Sequence, residues 1–216
     1  MRQKPAHGPL HRLVIVMAAL ATLILGYYLG SEFAFQRLQG EVSARLLKPP
    51  RDLPDFQLLD QNGEPFTRQR LEDHWSFVYF GCIECPDSRV AVLALLAQVY
   101  NRLADWPALQ QRMLAVFVTT RPDADTPALL KQRIFYYHPE FVGVTGEPDR
   151  LEALADAFPP TPAPEPGDVA AHLEGSPLYL VGPDARLLAV FHGWVDAAGL
   201  AADLRLIVET TGLELD

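Results

Sequence analysis

The sequence predicts an α/β domain, a mixed sheet flanked by helices, preceded by one N-terminal transmembrane helix. Three observations carry that prediction. From Leu13 to Ser31 the chain has no charged residue. Further on, short runs rich in aromatic and β-branched residues alternate with segments of helical periodicity. Near the end, two apolar runs flank a Gly-Pro-Asp turn and precede a final amphipathic segment. With 216 residues, 49% hydrophobic and 21% charged, the chain can bury a core of one ordinary domain and still carry an appendage.

Residues 1–12 are read as a cytoplasmic N-terminus and 13–31 as the anchor. At about 1.5 Å per residue the uncharged run spans roughly 28 Å, close to the hydrocarbon thickness of a bilayer. A buried core helix rarely stays uncharged for so long. The basic residues Arg2, Lys4 and Arg12 all precede the run, so the positive-inside rule keeps the N-terminus in the cytoplasm. Tyr27 and Tyr28 fall near the outer end, where an aromatic belt is expected. A cleavable signal peptide is the rival reading. No small-x-small site follows, because Leu29-Gly30-Ser31 leads into Glu32 and Phe33, which favours an uncleaved anchor. The expected location is therefore the inner, cytoplasmic membrane, single-pass, with the soluble domain on the periplasmic side.

Charge is distributed to match. The formal net charge is -9, residues 1–30 carry +3, and the remainder therefore carries -12. So acidic a domain excludes nucleic-acid binding through phosphate neutralisation, which needs clustered Lys and Arg.

Residues 32–50 read as a juxtamembrane helix or tether ending at Pro49-Pro50, and 51–216 as the domain. Asp55 to Leu59 is a short strand, and Asp60-Gln61-Asn62-Gly63 a turn in which Asn-Gly supplies positive φ. Trp75 to Phe80 suits a buried strand. Residues 88–104 present apolar positions 92, 95, 96, 99 and 103 on one helical face. Leu114 to Thr120 is a second buried strand, and Asp125-Thr126-Pro127 opens another helix with proline in its first turn. Phe158 to Gly167 is proline-rich and reads as an extended loop. Leu178 to Val181 and Leu187 to Phe191 form a hairpin, and a last helix covers about Ala197 to Thr210. Strand, helix, strand, helix, hairpin, helix is the thioredoxin order.

The chain has two cysteines, Cys82 and Cys85, between a buried strand and a helix. Thiols at that spacing can form a strained disulfide or hold a soft metal as thiolates. A helix N-terminus beside Cys85 would favour its thiolate. A plain stabilising disulfide is the alternative, but so small a loop adds little chain-entropy stabilisation.

Here the sequence resembles the Sco/SenC family, thioredoxin-like copper chaperones of cytochrome c oxidase assembly. The family segment FFGYTHCPDVCP is similar to Tyr79-Phe80-Gly81-Cys82-Ile83-Glu84-Cys85-Pro86-Asp87-Ser88-Arg89-Val90. Cys85-Pro86-Asp87 matches the first family cysteine and the two residues after it. Arg89 replaces the second, and Cys82 takes the place of the family's tyrosine. Phe117 to Pro127 resembles FVTVDPERDTP, His138 to Gly146 resembles HPDFIGLTG, and Tyr179 to Arg186 resembles YLIDPDGR. The likeness covers about residues 52–190.

The resemblance implies a Cu(I) site with Cys82 and Cys85 as ligands. The family's third ligand is a histidine five residues before that last tyrosine, where this chain has Glu174. His172 is two residues away and would serve if the loop is reshaped. A carboxylate is a poor partner for soft Cu(I). A different feature points to thiol–disulfide exchange. Gly175-Ser176-Pro177 precedes the strand at Leu178, where thioredoxin-like exchangers place a cis-proline facing their cysteines. In that reading Cys85 is the nucleophile and Cys82 resolves from upstream, since the usual resolving position is Ser88. Arg89 could steady a Cys85 thiolate or pair with a surface acid. His7, His11, His74, His138 and His192 read as surface or packing residues.

Three functions follow as expectations. One is an accessory role in respiratory oxidase assembly, handling copper or preparing the thiols of the copper-receiving subunit. The second is a periplasmic thiol–disulfide oxidoreductase acting on another thiol protein. The third is a non-catalytic interaction module on the same fold.

Overall fold

The structure, a computed structural model, describes residues 15, 17–24, 26, 42–83, 91–159, 177–192 and 196–211. The chain divides into two units, residues 1–41 and 42–216.

In the first unit, residues 15, 17–24 and 26 are helical. Ile15, Met17, Leu20, Leu23 and Ile24 are all exposed. Thr22 donates its hydroxyl to the carbonyls of Ala18 and Ala19 at 3.0 and 2.9 Å, so this polar group is satisfied within the helix. Among the described residues no helix is long and apolar enough to cross a membrane. The rest of the expected span over 13–31 lies outside the described residues.

The second unit contains an eight-stranded mixed sheet. Its strands are β1 (Arg45–Asp52), β2 (Gln57–Asp60), β3 (Pro65–Thr67), β4 (Trp75–Gly81), β5 (Met113–Thr119), β6 (Val142–Thr145), β7 (Leu178–Val181) and β8 (Arg186–Phe191). Helices α1 (Ala91–Arg102), α2 (Pro107–Gln111), α3 (Pro127–Phe135), α4 (Pro148–Ala155) and α5 (Ala197–Thr211) connect or follow them. The spatial order is β1-β8-β7-β4-β5-β6-β2-β3. Strands β4, β5 and β6 run parallel to one another, and all other neighbours are antiparallel.

Successive residues of the central strands face opposite sides, as the pleat requires. Val78, Val116, Val118, Val142, Val144, Tyr179 and Val181 form one core with Leu151, Leu154 and Phe158 from α4 and the turn after it. The alternate residues fill the other side. There Phe77 lies 6.0 Å from Phe191 and Tyr79 lies 6.0 Å from Phe117, ring to ring. Gly143 lets α3 approach β6 on that side, since a Cβ there would sit 2.3 Å from the Ile134 side chain. Helices α1 and α5 pack against each other.

The two turns expected of the sequence are built by carboxylates. Asp60 Oδ1 accepts from the backbone N–H groups of Asn62 and Glu64 at 2.7 and 3.0 Å, and Gly63 takes φ +80°. Asp184 Oδ1 accepts from the Arg186 N–H at 3.3 Å in the β7–β8 turn. The segment expected as a tether up to Pro50 ends differently. The compact unit begins at Val42, ahead of the boundary expected at 51, and residues 45–52 pair with β8. Prolines fit in this strand because it bulges: Leu47, Lys48, Pro49 and Pro50 lie between the pairs Leu46–Ala189 and Arg51–Leu187, opposite Leu188 alone. The Ser43 N–H donates to the buried Asp203 carboxylate of α5 at 2.9 Å, which fixes the start of this segment.

Two histidines give the unit a definite pH response. His138 is wedged between Tyr100 and Phe141, at ring distances of 4.2 and 4.9 Å. Burial holds its pKa below the ordinary 6.5, against an opposing pull from Glu140. His192 is also held below 6.5, by burial and then by Arg45. Each pKa is lower in the folded than in the unfolded chain, so below about 6.5 the unfolded chain binds more protons. Stability is therefore fully present above 6.5 and declines as pH falls through 6.5 toward the lowered values. Urea midpoints should be lower at about pH 5.5 than at about pH 7.5, and a His138→Gln, His192→Gln double variant should flatten the difference.

Candidate functional site

The site lies where β4 and β5 end side by side, with Gly81 opposite Thr119. Apart from Ser76 the β4 run is apolar up to this edge, and the chain then leaves the sheet through Cys82 and Ile83. Both are buried, at 8% and 6% exposure. Cys82 is disulfide-bonded, and the chain's other cysteine is Cys85, outside the described residues.

The backbone on either side of Cys82 is pinned to the connection between β5 and α3. Ahead of it, the Thr120 N–H donates to the Gly81 carbonyl at 2.7 Å. After it, the Ile83 N–H donates to Asp125 Oδ2 at 3.0 Å. That same oxygen accepts the Thr119 hydroxyl at 2.7 Å, and Thr119 Oγ1 accepts from the Arg121 N–H at 3.0 Å. Asp125 is fully buried, and its other oxygen, Oδ1, has no hydrogen-bond partner among the described residues. The next residue, Thr126, caps α3 by accepting from the Leu129 N–H at 3.3 Å, with Pro127 in the first turn.

The family model SCO1/SenC matches residues 46–209 of this sequence, most of the chain. This chain belongs to the SCO1/SenC family. A Stutzerimonas stutzeri protein named as a candidate copper-binding protein is 32% identical over 189 residues, covering 85% of this chain and 87% of its own. The mitochondrial SCO2 homologue of Danio rerio is 26% identical over 203 residues, covering 92% of this chain and 72% of its own. Among solved structures, yeast Sco1 with copper bound superposes with a TM-score of 0.61 at 24% identity, over 74% of this chain and 94% of that one. BsSco, described with a disulfide switch and as a member of the Sco family of cytochrome c oxidase assembly proteins, gives 0.58 at 19% identity, over 76% and 95%. At these identities the two structures establish the fold, the thioredoxin-like mixed sheet flanked by helices that the sequence predicts.

Within this SCO1/SenC domain, the described residues on either side of the segment 160–176 lie close to the Cys82 end. At its start, Phe158 packs edge-on against Phe80 and Tyr179 at 5.0 and 4.8 Å, and the Tyr179 hydroxyl donates to the Pro159 carbonyl at 2.8 Å. Burial pushes the Tyr179 pKa up to about 12, so the phenol stays a donor throughout the neutral range. At its end, buried Pro177 precedes the Leu178–Tyr79 pair, one step along β4 toward Cys82. A cleft of about 190 Å³ opens beside this edge, lined in part by Phe80, Thr119, Thr120, Leu151 and Glu152.

Of the residues the sequence singled out, the structure thus places Cys82 and Pro177 at one end of β4 and β7. Cys85, Ser88, Arg89, His172 and Glu174 lie outside the described residues. Among the described residues no group of three or more His, Cys, Asp or Glu could hold a metal ion. Sequence reasoning missed Asp125 and Thr119 as parts of the site. Asp125 stands in a run similar to the family's, but its sequence context with Thr126 and Pro127 signals only the opening of a helix.

Proposed function

We propose that this chain is a membrane-anchored Sco-type accessory protein for respiratory cytochrome oxidase assembly. It takes Cu(I) as cargo on reduced Cys82 and Cys85, or sets the thiol state of the copper-receiving subunit. The observation that carries this reading is Cys82 itself, a disulfide-forming cysteine at the end of a buried strand in a chain of the SCO1/SenC family. Thiolate sulfur is a fitting donor for soft Cu(I). In the disulfide form Cys82 offers no thiolate, so loading requires prior reduction. A thiol donor supplies two electrons and two protons, the S–S bond breaks, and the donor's own sulfurs close a disulfide.

The anchoring at 13–31 draws support from the exposed apolar side chains of the N-terminal helical residues and from the internally satisfied Thr22 hydroxyl. It places the domain on the periplasmic side of the inner membrane. The third copper ligand in this reading is His172 or Glu174, which lie in sequence between Phe158 and Pro177, residues found near the Cys82 end of β4. A second reading, thiol–disulfide exchange with another periplasmic protein, is favoured by the disulfide state of Cys82 and by Pro177 at the same end of the sheet.

The test is a Cu(I) titration of the fully reduced chain in detergent against a competing chelator. One-to-one binding that weakens in His172→Ala but not in Glu174→Ala identifies the histidine, and the reverse result identifies the carboxylate. No binding beyond the chelator rejects the copper role and leaves exchange as the function.

A further inference from the structure

We propose that Asp125 is the positioning residue of the Cys82 site, holding the cysteine in the geometry its disulfide requires. The inference rests on the reading of Cys82 as a working thiol. Its basis is the pair of pins on either side of that residue. The Gly81 carbonyl belongs to the peptide plane before Cys82, and the Ile83 N–H belongs to the plane after it. Thr120 holds the first at 2.7 Å and Asp125 Oδ2 holds the second at 3.0 Å. With both planes fixed, the φ and ψ of Cys82 have little freedom, so its sulfur is presented in one direction. The first pin is backbone to backbone and continues the β4–β5 ladder. The second depends on one side chain, reaching across 42 positions of sequence.

Asp125 is also an expensive choice for mere packing. It is a fully buried carboxylate whose Oδ1 has no donor among the described residues. A buried acceptor left without a donor costs about 1–3 kcal/mol, and more when charged. A stability role is available, because the residue precedes the α3 cap, where negative charge suits the helix dipole. That role would leave the redox equilibrium of Cys82 untouched. The Thr119 hydroxyl argues against it as the whole explanation, since it orients the same Oδ2 that holds Ile83.

Loss of the pin has a predictable sign. The oxidised chain needs Cys82 in one backbone conformation, whereas the dithiol tolerates many. Freeing the Ile83 peptide therefore favours the dithiol, through the added conformational entropy of closing the disulfide. In the reaction, a dithiol reductant gives up two electrons and two protons, the Cys82 S–S bond opens to two thiols, and the reductant closes into its cyclic disulfide.

The experiment equilibrates the full chain in detergent with dithiothreitol redox buffers and counts thiols by alkylation mass. Asp125→Ala should shift the equilibrium toward the dithiol by about tenfold, which is about 30 mV for a two-electron couple. Asp125→Asn keeps an oxygen for Ile83 and Thr119, and should stay within about twofold of the parent chain. A shift in Asp125→Asn as large as in Asp125→Ala would overturn the inference, because charge and not position would then be responsible. So would Asp125→Ala within about twofold of the parent. Should Asp125→Ala not fold, Thr119→Val frees the carboxylate while sparing Asp125. A shift in the same direction supports the pin, and an unchanged equilibrium rejects it. The disulfide equilibrium can be measured whether or not the chain binds Cu(I), so failure of the proposed function and failure of this inference give different results.

Discussion

Replacing Cys82 with alanine is expected to abolish Cu(I) binding by the reduced chain and to stop thiol–disulfide exchange at an unresolved mixed disulfide on Cys85. The argument is one of stoichiometry before energy. The chain has two cysteines, so removing one leaves no intramolecular disulfide and only one thiolate for a soft ion. Changes in the outer shell of a metal site already cost about 10–100-fold in affinity, and loss of a sulfur ligand should exceed that range. The fold should survive. The substitution removes one buried sulfur at a strand end, next to backbone that Thr120 and Asp125 still pin. A competition titration with a Cu(I) chelator reads the affinity, and circular dichroism verifies the fold. Binding that persists in Cys82→Ala would move the copper site away from this strand end altogether.

Phe117→Ala is expected to be strongly destabilising. The ring is 1% exposed, packs against Tyr79 at 6.0 Å, and reaches within 3.3 Å of the place a Cβ would occupy on Gly81. Truncation leaves a cavity between β4 and β5, directly behind the residue that precedes Cys82. Buried Phe→Ala changes cost about 3–5 kcal/mol. At about 2–4 °C per kcal/mol for a domain of this size, the melting temperature should fall by roughly 6–20 °C. Thermal unfolding followed by far-UV circular dichroism checks the shift. A fall of only a degree or two would mean that Tyr79 and its neighbours collapse into the space.

The central strands were legible because burial on both faces turns them into continuous apolar runs. Trp75 to Phe80, Leu114 to Thr120 and the closing hairpin could hardly be anything else in a domain of this composition. The residues that defied the pattern did so for local reasons. β1 contains Pro49 and Pro50, which read as a break until the bulge opposite Leu188 accommodates them. β6 contains Gly143, which weakens a strand signal but lets Ile134 come close. In α1 the buried positions include Leu93, where the periodicity suggested 92 and 95, because the helix is covered by α5 as well as by the sheet. The cysteines declared themselves by spacing. Asp125 did not, since nothing local marks a carboxylate whose partner is a backbone N–H on another strand's exit.

The prolines of β1 and β3 have a consequence for how this domain meets other proteins. An eight-stranded sheet has two margins, and among the described residues they are β1 and β3. A margin with free N–H and C=O groups invites another strand to add itself, whether from a client or from a second copy. Pro49, Pro50 and Pro65 remove N–H donors along both margins, and β3 is only three residues long. Neither side of the sheet is a good template for strand addition. A client of this sheet is therefore expected at the ends of the strands rather than their flanks, and the end where β4 delivers Cys82 carries both the disulfide-bonded cysteine and the adjoining cleft. Proline-interrupted flanks make strand-by-strand stacking of this sheet on another copy an unfavourable form of assembly.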